Sequence, residues 1–151
     1  METIDTPRVY LGAYAMCVKD GHVLLVRMGP SEFDAGSWGL PGGGLNWGEA
    51  PQNGMLRELT EETGLTGSAI ELAGIFSTTY LRSAERPRDS VHYIGFLYFV
   101  DAVAGELQYE QDGSTDVCAW LPLADLDDLP LVGIAQHGRE LIANRPATAP
   151  P

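Results

Sequence analysis

The chain has 151 residues, 44% of them hydrophobic, which suits a single globular domain with one core. Its 21 acidic and 9 basic residues give a formal net charge of −12. That charge repels a phosphate polymer and argues against DNA or RNA as a partner, although a small phosphorylated molecule is admissible where a divalent cation supplies local positive charge.

Residues 9–18 are rich in β-branched and aromatic side chains and predict a strand. Residues 19–22 contain Asp-Gly, a hairpin signal, and residues 23–27 predict the returning strand. Residues 28–37 predict a polar loop. Residues 38–40 predict a short extended piece, broken by the Pro-Gly-Gly-Gly run at 41–44. A helix is expected over residues 50–63, with Pro51 in its first turn, Gly64 at its C-terminal cap, and Met55, Leu56 and Leu59 as its apolar stripe. Residues 70–80 and 92–101 predict long strands on either side of a polar loop, residues 81–90, that holds Arg82, Arg86 and Arg88. Residues 106–109 are expected to continue the sheet, and residues 115–121 form another strand. A second helix is expected over residues 131–143, weakened by Gly133 and Gly138. Residues 1–145 read as one domain and residues 146–151 as a disordered tail. Strands mixed with two helices predict an α/β fold, a mixed sheet covered by helices on its faces.

The longest apolar run, residues 94–100, is too short to cross a bilayer, so no membrane is expected. The acidic, polar start of the chain offers no basic region followed by an apolar stretch, so no signal peptide is expected. Cys17 and Cys118 lie far apart in strand-like stretches and read as small buried residues, which suits a reducing cytoplasm. His22, His92 and His137 show no metal-ligand spacing. Residues 43 and 48 have the glycine spacing of a nucleotide-binding phosphate loop, but Glu49 stands where that loop needs lysine.

The chemistry concentrates in residues 43–65. Glu58, Glu61 and Glu62 stand at i, i+3 and i+4, which puts three carboxylates on one helix face. Such like-charge pairs cost roughly 0.2–0.5 kcal/mol each when exposed. Arg57 is the only basic residue of the segment. The cluster is therefore either a solvated acidic face or a cation site, and three oxygen ligands without His or Cys suit Mg²⁺, or Mn²⁺, rather than zinc. Gly42, Gly43 and Gly44 would let backbone N–H groups approach phosphate oxygens.

The segment resembles the Nudix box of MutT-like hydrolases: Gly, five residues, Glu, seven residues, then Arg-Glu-aliphatic-x-Glu-Glu-x-Gly-aliphatic. Here Gly43, Glu49, Arg57, Glu58, Leu59, Glu61, Glu62, Gly64 and Leu65 fill every specified position. A chance match somewhere in the chain is on the order of 10⁻⁷. The residues before the box (23–27 and 38–43) and the Trp-Leu-Pro-Leu at 120–123 extend the likeness over most of the chain.

The resemblance implies a Nudix-like α/β/α sandwich and a Mg²⁺-dependent hydrolase that cuts a diphosphate linkage in a small nucleotide-like substrate. It implies Glu58, Glu61 and Glu62 as metal ligands, with Glu49 and Arg57 organising the loop against the helix. Glu110, Asp112 or Asp116 would supply a further carboxylate as ligand or base. Substrate contacts would come from Arg27, Gly42, Gly43, Trp47, Phe33 and Tyr80, with Trp38 and Tyr93 as further aromatics able to stack a base. Nucleoside triphosphate or oxidised-nucleotide pool sanitation is the first expectation. A nucleoside diphosphate joined to another moiety (ADP-ribose, a nucleotide sugar or a dinucleoside polyphosphate) is the alternative. A non-catalytic nucleotide-binding domain is the reading from another class. Members of the family are frequently dimers, so a homodimer is also expected.

Overall fold

The computed structural model describes residues 8–80, 90–110 and 113–146. In chain order the elements are β1 (Arg8–Met16), β2 (Val18–Lys19), β3 (His22–Met28), β4 (Trp38–Gly39), β5 (Gly42–Gly44), α1 (Pro51–Thr63), β6 (Thr66–Tyr80), β7 (Val91–Ala104), β8 (Thr115–Pro122) and α2 (Gly133–Ala143), with a 3-10 turn over Leu123–Asp128 before α2.

One sheet has the order β5-β1-β7-β6. β1 runs parallel to β7, from Arg8 opposite Val91 to Met16 opposite Phe99. It runs antiparallel to β5, with Gly12 opposite Gly44 and Tyr14 opposite Gly42. β7 and β6 pair antiparallel, with a register shift between Leu72 and Gly74. β3 is the centre of the second sheet and pairs with β2, β4 and β8. Asp20 and Gly21, with φ of 51° and 75°, turn β2 into β3. Two successive left-handed residues match the twist of a two-residue hairpin.

The period-2 pattern of the strands divides the core in two. On one face Ala13, Ala15, Cys17, Leu24, Tyr98 and Val100 meet Met55 and Leu59 of α1. On the other face Tyr14, Met16, Val23, Leu25, Leu97 and Phe99 meet Ile134 and Ala135 of α2. Helices thus cover both faces of mixed sheets, the α/β/α arrangement. Cys17 and Cys118 are buried free thiols. Among the described residues, no helix is long and apolar enough to cross a membrane.

Several boundaries differ from the sequence-based expectation. β1 ends at Met16 and pairing resumes at Val18, because the Cys17 carbonyl turns to accept the Leu24 N–H. Gly42–Gly44, expected as a break, is strand β5, since the edge of β1 offers its backbone partners. Residues 106–109 do not join a sheet; instead the Gln108 N–H bonds to the Thr63 carbonyl at the end of α1. α2 begins at Gly133 rather than at residue 131, because Leu131 is held in a bridge to Trp38. The 3-10 turn has no counterpart in the expectation. The arginine-bearing loop and the tail beyond Pro146 lie outside the described residues.

Candidate active site

α1 carries the carboxylates. Pro51 opens it, where a missing N–H costs no helical bond. Gly64 closes it in the left-handed region, φ 77°, with its N–H on the Thr60 carbonyl. Helical spacing then turns Glu58 and Glu62 toward β5. The Gly42 N–H donates to Glu62 Oε2 at 3.2 Å. A β-carbon on Gly43 would lie 3.0 Å from the Glu58 carboxyl. At Gly42, φ is 153° and a β-carbon would fall 2.3 Å from the Ala13 carbonyl, so only glycine fits that approach.

Arg57 ties this assembly together. Its Nε and Nη2 each donate to Glu49 at 2.9 Å. Its Nη1 donates to Glu58 Oε1 at 3.0 Å and to Glu61 Oε2 at 3.2 Å. Its Nη2 also reaches the Gly44 carbonyl at 3.1 Å. One guanidinium therefore joins the loop after β5, the strand itself and the helix. Glu49 Oε1 accepts the Asn46 N–H as well. The Arg57 guanidinium, with the Asn46 N–H, holds the Glu49 carboxyl down at about 2.

Among the described residues, no cation is bonded to Glu62. It is only 2% exposed. Burial pushes its carboxyl well above the usual range, the nearby Glu58 and Glu110 carboxylates push the same way, and the Gly42 N–H opposes them. Glu110 is also raised, first by burial and then by Glu58 and Glu61, against a hydrogen bond from Thr115; that bond measures 3.1 Å. Glu58, Glu61, Glu62 and Glu110 thus feel one another's charge, while Arg57 answers only part of it. Among the described residues, no three such side chains are already drawn together tightly enough to hold a metal ion. The donor chemistry, all carboxylate oxygen with excess negative charge, fits a hard divalent cation.

The other sequence-singled residues fall in several places. Arg27, on β3, is bound in a two-pronged pair by Asp116 of β8, at 2.9 Å for both bonds. Arg27 thus shares its charge with Asp116, and its side chain stays 40% exposed. Asp112 lies outside the described residues. Of the two that are described, Glu110 and Asp116, Glu110 is the one whose charge reaches the helix glutamates. Phe33 and Trp47 are almost fully exposed, at 95% and 102%. Trp38 packs on the core beneath α2. Tyr80 and Tyr93 meet edge to face, centroids 6.1 Å apart.

Tyr10 went unrecognised in the sequence. Its ring stacks on Tyr93 at 5.2 Å, and Glu58 and Glu62 are near enough to influence its phenol. The available signal was the spacing of Tyr10 and Tyr14, which puts both on one face of a strand.

Residues 6–144 match the NUDIX domain family, and the chain belongs to that family. An ADP-ribose pyrophosphatase of Methanocaldococcus jannaschii is 33% identical over 113 residues, covering 74% of this chain and 59% of that protein. Two other curated relatives are covered over only 37% and 47% of their lengths. Among solved structures, the MutT NUDIX hydrolase from Burkholderia pseudomallei superposes with a TM-score of 0.75 at 27% identity, covering 89% of this chain and 98% of that one. The NUDIX domain of Shewanella oneidensis NrtR, complexed with ADP ribose, gives 0.69 at 25% identity, over 91% and 87%.

Proposed function

We propose that this protein is a pyrophosphohydrolase, dependent on Mg²⁺ or Mn²⁺, that cuts the diphosphate of a nucleoside diphosphate joined to a second moiety. The observation that carries the reading is the uncompensated carboxylate group around buried Glu62. A protein that only bound a nucleotide would gain nothing from burying a carboxylate among others. Glu58, Glu61 and Glu62 would hold the cation. When bound, a divalent ion neutralises charge on the diphosphate and activates water for attack. Arg57 keeps Glu49, Glu58 and Glu61 in register with β5. Glu110 accepts the proton of the attacking water, since burial and its acidic neighbours make it a stronger base than an exposed glutamate. A reducing cytoplasm suits the two free thiols.

The choice of a joined nucleoside diphosphate over a triphosphate reverses the first sequence-based expectation. Arg27 is paired with Asp116 and Arg57 with Glu49, so both guanidiniums already share their charge with a carboxylate. The likeness to an ADP-ribose pyrophosphatase favours the same choice.

The test is a panel of nucleoside triphosphates, oxidised nucleotides, ADP-ribose, nucleotide sugars and dinucleoside polyphosphates with Mg²⁺, reading released phosphate or monophosphate. Turnover of a joined diphosphate that disappears in Glu61→Gln/Glu62→Gln supports the reading. Preference for a triphosphate would restore pool sanitation. Absence of turnover on every member, with either metal, would overturn the enzyme.

A further inference from the structure

Glu110 meets the start of β8 through one hydroxyl. Thr115 donates to Glu110 Oε2 at 3.1 Å. Thr115 is only 4% exposed, so its hydroxyl has little water to turn to instead. Among the described residues, no other group donates to the Glu110 carboxyl. Gly113 gives that carboxyl its room: a β-carbon there would fall 2.0 Å from Glu110 Cδ. The Gly113 backbone is not in the left-handed region. The demand for glycine therefore comes from the Glu110 side chain and not from the local turn of the chain.

Each partner is anchored to a different element. The Gln108 N–H bonds to the Thr63 carbonyl, which ties the approach to Glu110 to the end of α1. The Gly29 N–H bonds to the Ser114 carbonyl at 2.9 Å. Thr115 then lies opposite Met28, just past the register shift between Arg27 and Met28. Arg27 grips Asp116, the next residue, with two bonds of 2.9 Å. The threonine is thus fixed from β3 and the glutamate from α1, and the hydroxyl joins the two. Glu58 and Glu61 act on the Glu110 carboxyl with like charge, so an unheld carboxylate would swing away from them.

We infer that Thr115 is a positioning residue: its hydroxyl, with the space left by Gly113, holds the Glu110 carboxylate toward the α1 glutamates for proton transfer from the attacking water. The inference rests on the reading of Glu110 as the base. In that step the water oxygen bonds to phosphorus, its proton passes to Glu110, and the bridging P–O bond breaks with its electron pair on the departing oxygen. One carboxylate oxygen takes the threonine hydroxyl, which leaves the other for the proton. A base displaced by about 1 Å forfeits about 100-fold in rate, so a single hydroxyl can govern the step without touching the substrate.

The first readout needs no turnover. In the metal-free wild-type chain, NMR should show nuclear Overhauser contacts between the Glu110 γ-protons and the Gly113 α-protons, because the two side by side leave no room for a β-carbon. Thr115→Val should lose these contacts and Thr115→Ser should keep them. The second readout uses the best substrate of the panel above, with Mg²⁺. Thr115→Val should lower kcat about 10- to 100-fold and leave KM within about 2-fold. Thr115→Ser should bring kcat back to within about 3-fold of wild type. Gly113→Ala displaces only the flexible end of Glu110 and should lower kcat to a similar degree in a folded protein. Glu110→Gln should cost about 100- to 10,000-fold, and adding Thr115→Val to it should cost nothing more. Contacts that persist in Thr115→Val, or a wild-type kcat in that variant while Glu110→Gln is inactive, overturn the positioning role and leave the base standing. A further loss in the double variant overturns action through Glu110. Full activity in Glu110→Gln removes the base and the role of Thr115 with it. If no panel member turns over, the hydrolase falls, and the Glu110–Gly113 contacts alone decide whether Thr115 holds the carboxylate.

Discussion

Replacing Glu62 with Gln should make the metal-free protein more stable while destroying its activity. Glu62 is 2% exposed, and among the described residues the Gly42 N–H alone offsets Glu58 and Glu110. Gln is nearly the same size, keeps an oxygen for that N–H, and turns an amide N–H₂ toward the Glu58 carboxylate. Its folded-state carboxyl pKa lies above the ordinary value of 4.5. As pH rises past that value, the unfolded chain loses its proton first. The folded state then binds more protons, so stability falls with rising pH until Glu62 itself ionises. At pH 7 the wild type bears this cost whether Glu62 is charged or retains its proton. Removing a buried, unpaired charge of this kind is worth roughly 1–3 kcal/mol. For a chain of this length that is a Tm rise of about 3–10 °C. The assay is thermal unfolding of wild type and Glu62→Gln from pH 4.5 to 8, each with EDTA and with Mg²⁺. The difference should be small at pH 4.5 and grow toward neutrality. Mg²⁺ should raise the wild type by about 2.7 kcal/mol at a hundred times its Kd, and the variant by much less. A variant less stable than wild type at pH 7 without metal, or a difference independent of pH, would refute the reasoning.

Arg57→Lys keeps one charge but loses the fork that reaches Glu49, Glu58, Glu61 and Gly44 together; activity should fall 100-fold or more, with a smaller loss in Tm, as steady-state kinetics and calorimetry would show. Glu49, held down at about 2 by Arg57, contributes stability above its unfolded value of 4.5 that is lost as pH falls toward 2. Acid unfolding followed by circular dichroism should therefore be shallower over that window in Glu49→Gln. Leu59→Ala removes a fully buried side chain from the α1 face of the core and should cost about 2–5 kcal/mol in urea unfolding.

Helix α1 was legible because every level agreed: Pro51 at the start, Gly64 at the end, an apolar stripe between, and carboxylates at helical spacing. Long strands could be read from composition, though not to their ends. β7 extends to Ala104, past the residues whose burial made the pattern visible. Gly42–Gly44 reads locally as a breaker, and its strand character comes from a partner, β1, about thirty residues away. The Glu49–Arg57 link was expected from the family pattern, whereas the Arg27–Asp116 pair spans 89 residues between two strands, a separation that no local pattern encodes. Tyr10 was hidden for a related reason. A tyrosine in a strand is usually packing, and only the register against β7 brings it beside Tyr93.

The alternation along β1 allows the two halves of the site to diverge separately. Ala13 and Ala15 have little bulk, so α1 can lie low enough for Glu62 to meet the Gly42 amide. Tyr10, Gly12 and Tyr14 project the opposite way. Exchanges at the even positions would alter the face toward α2 and leave the seat of α1 intact, whereas enlarging either alanine would lift the carboxylates from β5. A lineage is therefore free to vary one face of this strand, one residue in two, with the carboxylate helix kept in place.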